Sequence, residues 1–258
     1  MRGRAFILAA ALMTTGTQPA AADEAICADR PSKSTGECTV PAGRWQVETG
    51  LIDWSHDRSS DFTAVASSLV KVGVNDHADI ELGLTPFESL RTNATHHQVS
   101  SFGDLVARVK YRLTPDSAPV QVAIDPFVKL PTANRRLGNG KVEGGLLVAT
   151  SAPLGKSGLT LSLDPELDIL ADADGPGRHP SMIQVLNLGA PLNRKFSVSA
   201  ELWSQWNWDP AGTRRQESAD ASIAYLPSNN LQLDAGANFG VNRQTPDVEL
   251  YSGVSVRF

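Results

Sequence analysis

Beyond residue 22, the sequence lacks any run that approaches the roughly 18 consecutive apolar residues of a transmembrane helix. It also lacks a convincing helical period of apolar residues. Basic residues are not in excess, since the formal net charge is −5, and this argues against nucleic acid as a partner. These absences exclude a helical membrane protein. They leave open a β-barrel, whose strands need to be apolar on one face only.

Cysteine is scarce, and its two occurrences, Cys27 and Cys38, both precede the first predicted strand. In an oxidising compartment the pair could close a short disulfide loop around residues 30–33, which would otherwise form a frayed terminus. A zinc site is not expected because histidines are missing nearby. We expect neither a metal nor another cofactor.

The first 22 residues have the pattern of a secretory signal peptide. Two arginines, Arg2 and Arg4, precede a short apolar run that ends at Met13, and Ala20 and Ala22 suit cleavage before residue 23. The residues before Cys27 are not the small and aliphatic run that a lipoprotein signal needs. We therefore predict a signal peptide at 1–22, a periplasmic N-terminal segment at 23–42 and one domain at 43–258.

That domain divides into about twelve alternating segments, each about as long as a tilted membrane strand. Their approximate spans are 43–54, 62–73, 78–87, 102–113, 119–130, 141–151, 158–171, 180–190, 196–208, 217–226, 231–241 and 248–258. Short turns alternate with connections that are mostly longer, of which residues 88–101 form the longest. The pattern predicts an all-β fold, a single transmembrane antiparallel β-barrel of about twelve strands with both termini in the periplasm.

The last segment, Val248 to Phe258, alternates apolar and polar residues to its end. A closed barrel leaves no edge, so this strand should pair with the one that begins at Gly43. The alternative is an edge strand of a soluble sandwich. Charge placement argues against it, because segments 102–113 and 158–171 each have one face without charge and one face rich in charge. A small soluble domain could not bury such charges, whereas a wet lumen could accommodate them.

The inward faces supply the candidate pore-lining residues, and no catalytic residue is predicted. The candidates are Asp79, Glu81, Asp104, Arg108, Lys110, Arg112, Asp125, Lys129, Asp164, Glu166, Asp168, Glu201, Asp234, Glu249 and Arg257. Three of them, Arg108, Lys110 and Arg112, form a basic ladder, and Asp164, Glu166 and Asp168 form an acidic one. Opposed ladders could filter solutes by charge. The charges could also pair along the wall, because Asp79 and Glu81 should lie on the strand next to Lys110 and Arg112.

Aromatic residues make up only 6% of the chain, so any interfacial girdles are thin. At the end where Phe258 lies, the alternation places an outward group of aromatic residues: Trp45, Tyr111, Phe196, Tyr225 and Phe258. At the opposite end it places a second outward group: Phe62, Trp206, Trp208 and Phe239.

Several segments together resemble one family. They are Gly43 to Glu48, Ser101 to Leu105, Lys110 to Leu113, Lys129 to Thr132, and Leu231 to Gly236 with the stretch through Pro246 to Phe258. In this order they are similar to the outer-membrane transporters named after the meta-pathway of phenol degradation. The resemblance implies a barrel that moves small, including aromatic, solutes. Asn134 and Arg135 depart from it, since a glycine often follows the Pro-Thr element there.

The function expected from these observations is a passive outer-membrane channel of a Gram-negative bacterium. Its expected partners are membrane lipid, lipopolysaccharide, a small-molecule solute and, through the last strand, the barrel-assembly machinery. One alternative is a structural barrel with a closed lumen. The other is a hydrolase, for which His96 and His97 with Ser100 and Ser101 are the nearest candidates, although no nucleophile motif accompanies them.

Overall fold

The structure is a computed structural model in which residues 24–258 are described. The predicted signal peptide, residues 1–22, lies outside the described residues. Within residues 24–258 we find no helix with the length and apolar content to cross a membrane.

Fourteen antiparallel β-strands build a single sheet. They are β1 (Trp45–His56), β2 (Ser60–Asn75), β3 (Ala78–Leu84), β4 (Phe87–Thr92), β5 (Gln98–Ser101), β6 (Leu105–Arg112), β7 (Gln121–Leu130), β8 (Glu143–Pro153), β9 (Thr160–Ala171), β10 (Arg178–Pro191), β11 (Phe196–Asn207), β12 (Arg214–Ser228), β13 (Leu231–Gly240) and β14 (Val248–Arg257).

Four of the fourteen strands, β3 to β6, occupy only two strand positions in the wall. β3 and β4 pair with successive halves of β2, and β5 and β6 pair in turn with β4 and β3. Each couple is one strand of the wall, interrupted at residues 85–86 or at residues 102–104. The wall therefore has twelve strands, as the alternating segments predict.

The first and last strands close the barrel. Gln46 lies opposite Arg257 and Val47 opposite Val256, and β1 also pairs with β2 on its other side. The main-chain N–H of Phe258 donates to the carbonyl oxygen of Trp45 at 2.8 Å. This pairing confirms the partner predicted for the last segment and excludes the sandwich, because one sheet joins its two edges.

The side chains sort by face as predicted. On β9, Leu163 and Leu167 point outward and stay about half exposed (47% and 53%), whereas Asp164 and Asp168 between and beyond them are buried. The same contrast separates Ile80 from its buried neighbours on β3. The apolar face of the sheet is thus outside, and the charged face is inside.

Residues 88–101 are not the long loop that the sequence predicts. β4 and β5 extend that hairpin with pairs such as Glu88 to Ser101, which leaves a turn of residues 93–97. Polar side chains occupy both faces of the extension, so it lacks the alternation that marked the other strands. The lengths of the connections also differ less between the two ends than predicted. Residues 113–120, at the end with Phe258 where short turns are expected, are longer than residues 57–59 at the opposite end.

Most of the aromatic residues lie where the sequence places them, and one does not. Trp45, Tyr111 and Phe258 are exposed at the end that carries Phe258, and Trp206 and Phe239 are exposed at the opposite end. Phe62 was predicted to face outward, but it lies opposite Ser55 and shares the parity of buried Ala64. The inward parity of β2 changes between buried Ala64 and buried Lys71, where Ala66 has a φ of 58°. The facing strand β1 shifts its register against β14 at the same level, between Gly50 and Ile52.

Candidate functional site

The inner wall of the barrel holds the predicted pore-lining residues. Nine of them are buried: Asp79, Glu81, Lys110, Asp125, Asp164, Asp168, Glu201, Asp234 and Arg257. The other six are half-buried: Asp104, Arg108, Arg112, Lys129, Glu166 and Glu249. The structure thus brings the fifteen onto one inner surface. Their role in conduction stays a prediction.

The N-terminal residues 24–44, here called the plug segment, enter this barrel, and residues 26–40 are buried or half-buried there. Main-chain N–H groups of Lys33 and Ser34 each donate to the Glu201 carboxylate at 3.0 Å. Another N–H, from Thr35, donates to Asp164 at 2.9 Å, and that of Val40 donates to Asp79 at 2.8 Å. These acceptors come from β11, β9 and β3. The plug segment is therefore fixed to widely separated strands of the wall.

One acidic side chain of the plug segment sits against the basic part of the wall. Lys110 Nζ lies 2.8 Å and 2.9 Å from the two carboxylate oxygens of Asp29, and Lys71 forms a second ion pair with it. Burial alone would raise the pKa of Asp29, but the two ammonium groups outweigh it and hold that pKa well below its usual range. Asp29 is therefore ionised wherever the barrel is folded near neutral pH.

Two basic side chains of the plug segment meet the acidic part of the wall. Arg30 Nη2 lies 3.0 Å from Asp234, in space that Gly253 leaves free by having no side chain. The Lys33 ammonium lies 3.2 Å from Asp220 and 4.5 Å from the centre of the Trp203 ring. The plug segment thus presents each sign of charge to the opposite sign on the wall.

A disulfide joins Cys27 to Cys38, as the sequence predicts. The loop that it closes contains the wall-contacting residues Asp29, Arg30, Lys33 and Thr35. The disulfide therefore constrains the part of the plug segment that carries its charges.

The basic ladder of β6 is compensated along its length. Arg108 pairs with Asp125 at 3.3 Å, Lys110 lies 3.5 Å from Glu81, and Arg112 pairs with Asp116. In the acidic ladder, Asp164 accepts N–H groups from the plug segment and from the wall. Pairing along the wall thus accounts for the basic ladder, and the plug segment shares in the contacts of Asp164. Among the described residues, neither Glu166 nor Asp168 forms a salt bridge, and Asp168 Oδ1 is buried without a hydrogen-bond partner.

Sequence reasoning missed the plug segment itself and several of its wall partners. Lys71, Glu48 and Asp220 are buried on the inner face but were not among the candidates. One signal was available. The cysteines at 27 and 38 mark a constrained loop, although the charges within it resemble those of an exposed tail.

Space remains beside the plug segment. A cavity of about 310 Å³ borders Asp29, Arg30 and Arg108 towards β1, β2, β3 and β6. A second cavity of about 390 Å³ borders Ser32, Asn187 and Ser199 towards β9 to β12. The lumen is thus occupied but not filled.

The histidines considered for catalysis lie at the far rim. His96 Nδ1 is 3.2 Å from an Arg91 nitrogen, and among residues 24–258 no serine forms a hydrogen bond with the side chain of His96 or His97. The same described residues contain no group of three or more His, Cys, Asp or Glu side chains placed to hold a metal ion.

Comparison with protein families finds one match. The family described as "Putative MetA-pathway of phenol degradation" matches residues 28–258, nearly the whole described chain. A comparison with curated proteins finds no significant match.

Three solved structures that resemble this barrel are described as channels or porins. An outer-membrane channel from Pseudomonas putida F1 has a TM-score of 0.71 at 15% identity, covering 88% of this chain and 100% of that one. The NanC porin has a TM-score of 0.55 at 14% identity, covering 82% and 98%. The CymD monoaromatic hydrocarbon channel has a TM-score of 0.50 at 10% identity, covering 84% and 88%. At such low identities, these TM-scores show a shared fold and nothing more.

Proposed function

The chain belongs to the family described as "Putative MetA-pathway of phenol degradation", and from this premise we propose that it is an outer-membrane channel for the passive passage of small solutes. The observation that carries the proposal is the division of the wall into an apolar outer face and a charged inner face, with cavities left beside the plug segment. A polar interior of this kind is what an aqueous path through a bilayer requires.

The outer face supports a location in the outer membrane of a Gram-negative bacterium. Its exposed aliphatic side chains, such as Leu163 and Leu202, suit contact with lipid, and aromatic residues lie at both ends. With the signal peptide removed, the end that carries Trp45 and Phe258 would face the periplasm. Lipopolysaccharide would then surround the opposite rim, and β14 would be the strand that the barrel-assembly machinery recognises.

The solutes that we propose are small organic compounds, aromatic ones included. One structure with this fold is titled a monoaromatic hydrocarbon channel. The cavities beside the plug segment, at about 310 and 390 Å³, exceed the volume of about 150 Å³ in which an engineered protein cavity holds benzene. Passage would need no covalent chemistry, so the protein is not an enzyme under this proposal.

A closed structural barrel is the second candidate. It is favoured by the plug segment, because ion pairs and charge-assisted hydrogen bonds fix that segment across the lumen. The two candidates differ in one respect, since only a channel provides a path for ions through a bilayer.

Planar-bilayer recording of the refolded protein tests the proposal. A channel gives conductance steps whose ion selectivity moves towards cations in Arg108→Gln, because that change removes a positive charge bordering a cavity. Lys156→Gln, in an exposed turn, is the matched control and leaves the selectivity unchanged. Silence from the wild type and both variants, in protein that migrates as a folded barrel, would favour the closed scaffold. Ester hydrolysis that disappears in His96→Ala, His97→Ala would overturn the assignment as a non-enzyme.

A further inference from the structure

The two cavities beside the plug segment meet at a single side chain. Ser32 borders the 310 Å³ cavity, here called the charged cavity, and also the 390 Å³ cavity, here called the neutral cavity. The neutral cavity lies near the short turns at the end of the barrel that carries Phe258, while the charged cavity extends towards the opposite end. Ser32 therefore stands at the junction between the two halves of the lumen.

The chemistry of the two cavities differs. Asp29, Arg30, Glu48, Asp104 and Arg108 border the charged cavity. The neutral cavity is lined by hydroxyl, amide and apolar groups, and among residues 24–258 none of its lining side chains is an acid or a base. A solute that moves from the charged cavity to the neutral cavity therefore leaves a charged environment for one whose lining side chains are uncharged.

At the junction, neutral groups hold the plug segment to the wall. The hydroxyl oxygens of Ser32 and Ser199 are 3.1 Å apart, and the Asn187 side-chain amide donates to Ser32 Oγ at 3.2 Å. The Ser199 hydroxyl lies 2.6 Å from that of Ser222. Elsewhere the plug segment is held largely by ion pairs and by N–H groups bonded to carboxylates. The junction is thus the contact whose partners a neutral solute can replace.

The nearest carboxylate does not alter this character. Glu201 accepts the N–H groups of Lys33 and Ser34 and also a side-chain N–H of Asn187 at 2.8 Å. Three donors therefore occupy its oxygens, and its negative charge is unfavourable for an anion at the cluster.

We propose that the cluster of Ser32, Asn187, Ser199 and Ser222 is a binding and selection site for small uncharged solutes that carry hydroxyl or amide groups. The inference rests on the proposed channel function and names its substrate class. Such a solute exchanges hydrogen bonds with the cluster, so it loses little when it leaves water. An anion loses its hydration there without gaining a countercharge, and this slows it.

Uptake of arabinose and of its sugar acid, arabinonate, into vesicles containing the full protein tests the site. The two solutes match in size and differ in charge. We expect the wild type to admit arabinose several-fold faster than arabinonate. Ser222→Trp should lower arabinose uptake several-fold by filling the neutral cavity, whereas Ile223→Trp, the adjacent outward position, should leave it unchanged.

Two further variants separate the chemistry of the cluster from its bulk. Ser199→Ala should reduce the preference for arabinose over arabinonate. Ser199→Thr, which keeps a hydroxyl, should retain that preference. Equal entry of both solutes, or an unchanged rate in Ser222→Trp, would overturn the inference while leaving a channel. Failure of the wild type to admit either solute would instead overturn the proposed channel, and the inference with it. Heat-modifiable migration on a gel verifies that each variant is folded.

Discussion

The Lys110 ammonium on β6 is bonded to both carboxylate oxygens of Asp29 in the plug segment, at 2.8 and 2.9 Å. The two residues are 81 positions apart, and Lys71 on β2 contacts the same carboxylate. This contact fixes the plug segment to the basic part of the wall, as Arg30 fixes it to the acidic part. The state of the plug segment is therefore tied to a few ion pairs that can be removed singly.

Asp29→Asn should weaken the attachment of the plug segment to the wall without unfolding the barrel. Removing one partner of a buried ion pair costs roughly 3–5 kcal/mol, an upper limit in a wet lumen. Trypsin would then cut after Lys33 faster than in the wild type, which the appearance of an N-terminus at Ser34 measures. Asp116→Asn, which breaks the ion pair of Arg112 with a mostly exposed residue, is the control and should leave cleavage unchanged. Equal rates in all three proteins would show that the pair does not hold the segment.

The contribution of Asp29 should persist into the acid range. Its pKa is lower in the folded protein than the ordinary 3.8, so the stabilisation is present above that value and is lost as the pH falls through the folded pKa. Asp29→Asn should be cleaved by trypsin faster than the wild type, and the ratio of the two rates should be constant from about pH 8 to about pH 5. Cleavage of both proteins is measured at each pH, and each rate is divided by that of an unfolded peptide with the same Lys33–Ser34 bond, which removes the pH dependence of trypsin itself. A difference that vanishes near pH 6 would contradict this account.

The barrel wall is the part that sequence alone predicts well. Val248 to Phe258 alternates strictly, and a one-residue change of register would turn Leu250 inward and Arg257 outward, so the pairing with β1 has one acceptable solution. The same reasoning places Asp164 inside and Leu163 outside. It fails at Phe62, because the parity of β2 changes near Ala66, whose φ is positive, and no periodic pattern predicts that change.

The disulfide should matter to the plug segment and not to the wall. It spans a sequence separation of 11 residues, for which loop closure accounts for about 3 kcal/mol. The double variant Cys27→Ala, Cys38→Ala should keep heat-modifiable migration while its Lys33–Ser34 bond becomes more accessible to trypsin. Loss of the folded gel band would instead assign the disulfide to the folding of the barrel itself.

A charge on the outer face should destabilise the barrel according to its depth. Leu202 lies near the middle of β11 and is 59% exposed, so Leu202→Arg should cost about 2–4 kcal/mol in a bilayer. Leu192→Arg, in the adjoining turn, should cost about 0–1 kcal/mol. Urea-dependent folding into lipid vesicles measures both. Equal costs would contradict the placement of Leu202 against lipid.

The contents of the lumen could not be predicted in the same way. Residues 24–44 form no strand, so they carry no period, and their contacts join positions as far apart as Arg30 and Asp234. The charges of Asp29 and Lys33 resemble those of any exposed tail until the wall is known. Only the three-dimensional arrangement shows that each charge has its counterpart inside the barrel.

Single-channel recording of the wild type beside Asp29→Asn tests the central claim most directly, namely that solutes pass through this barrel alongside a plug segment held by ion pairs. We predict small, steady conductance steps for the wild type and larger, more variable steps for Asp29→Asn, whose plug segment is loosened. Absence of steps from both proteins, in preparations shown to be folded and inserted, would contradict the claim.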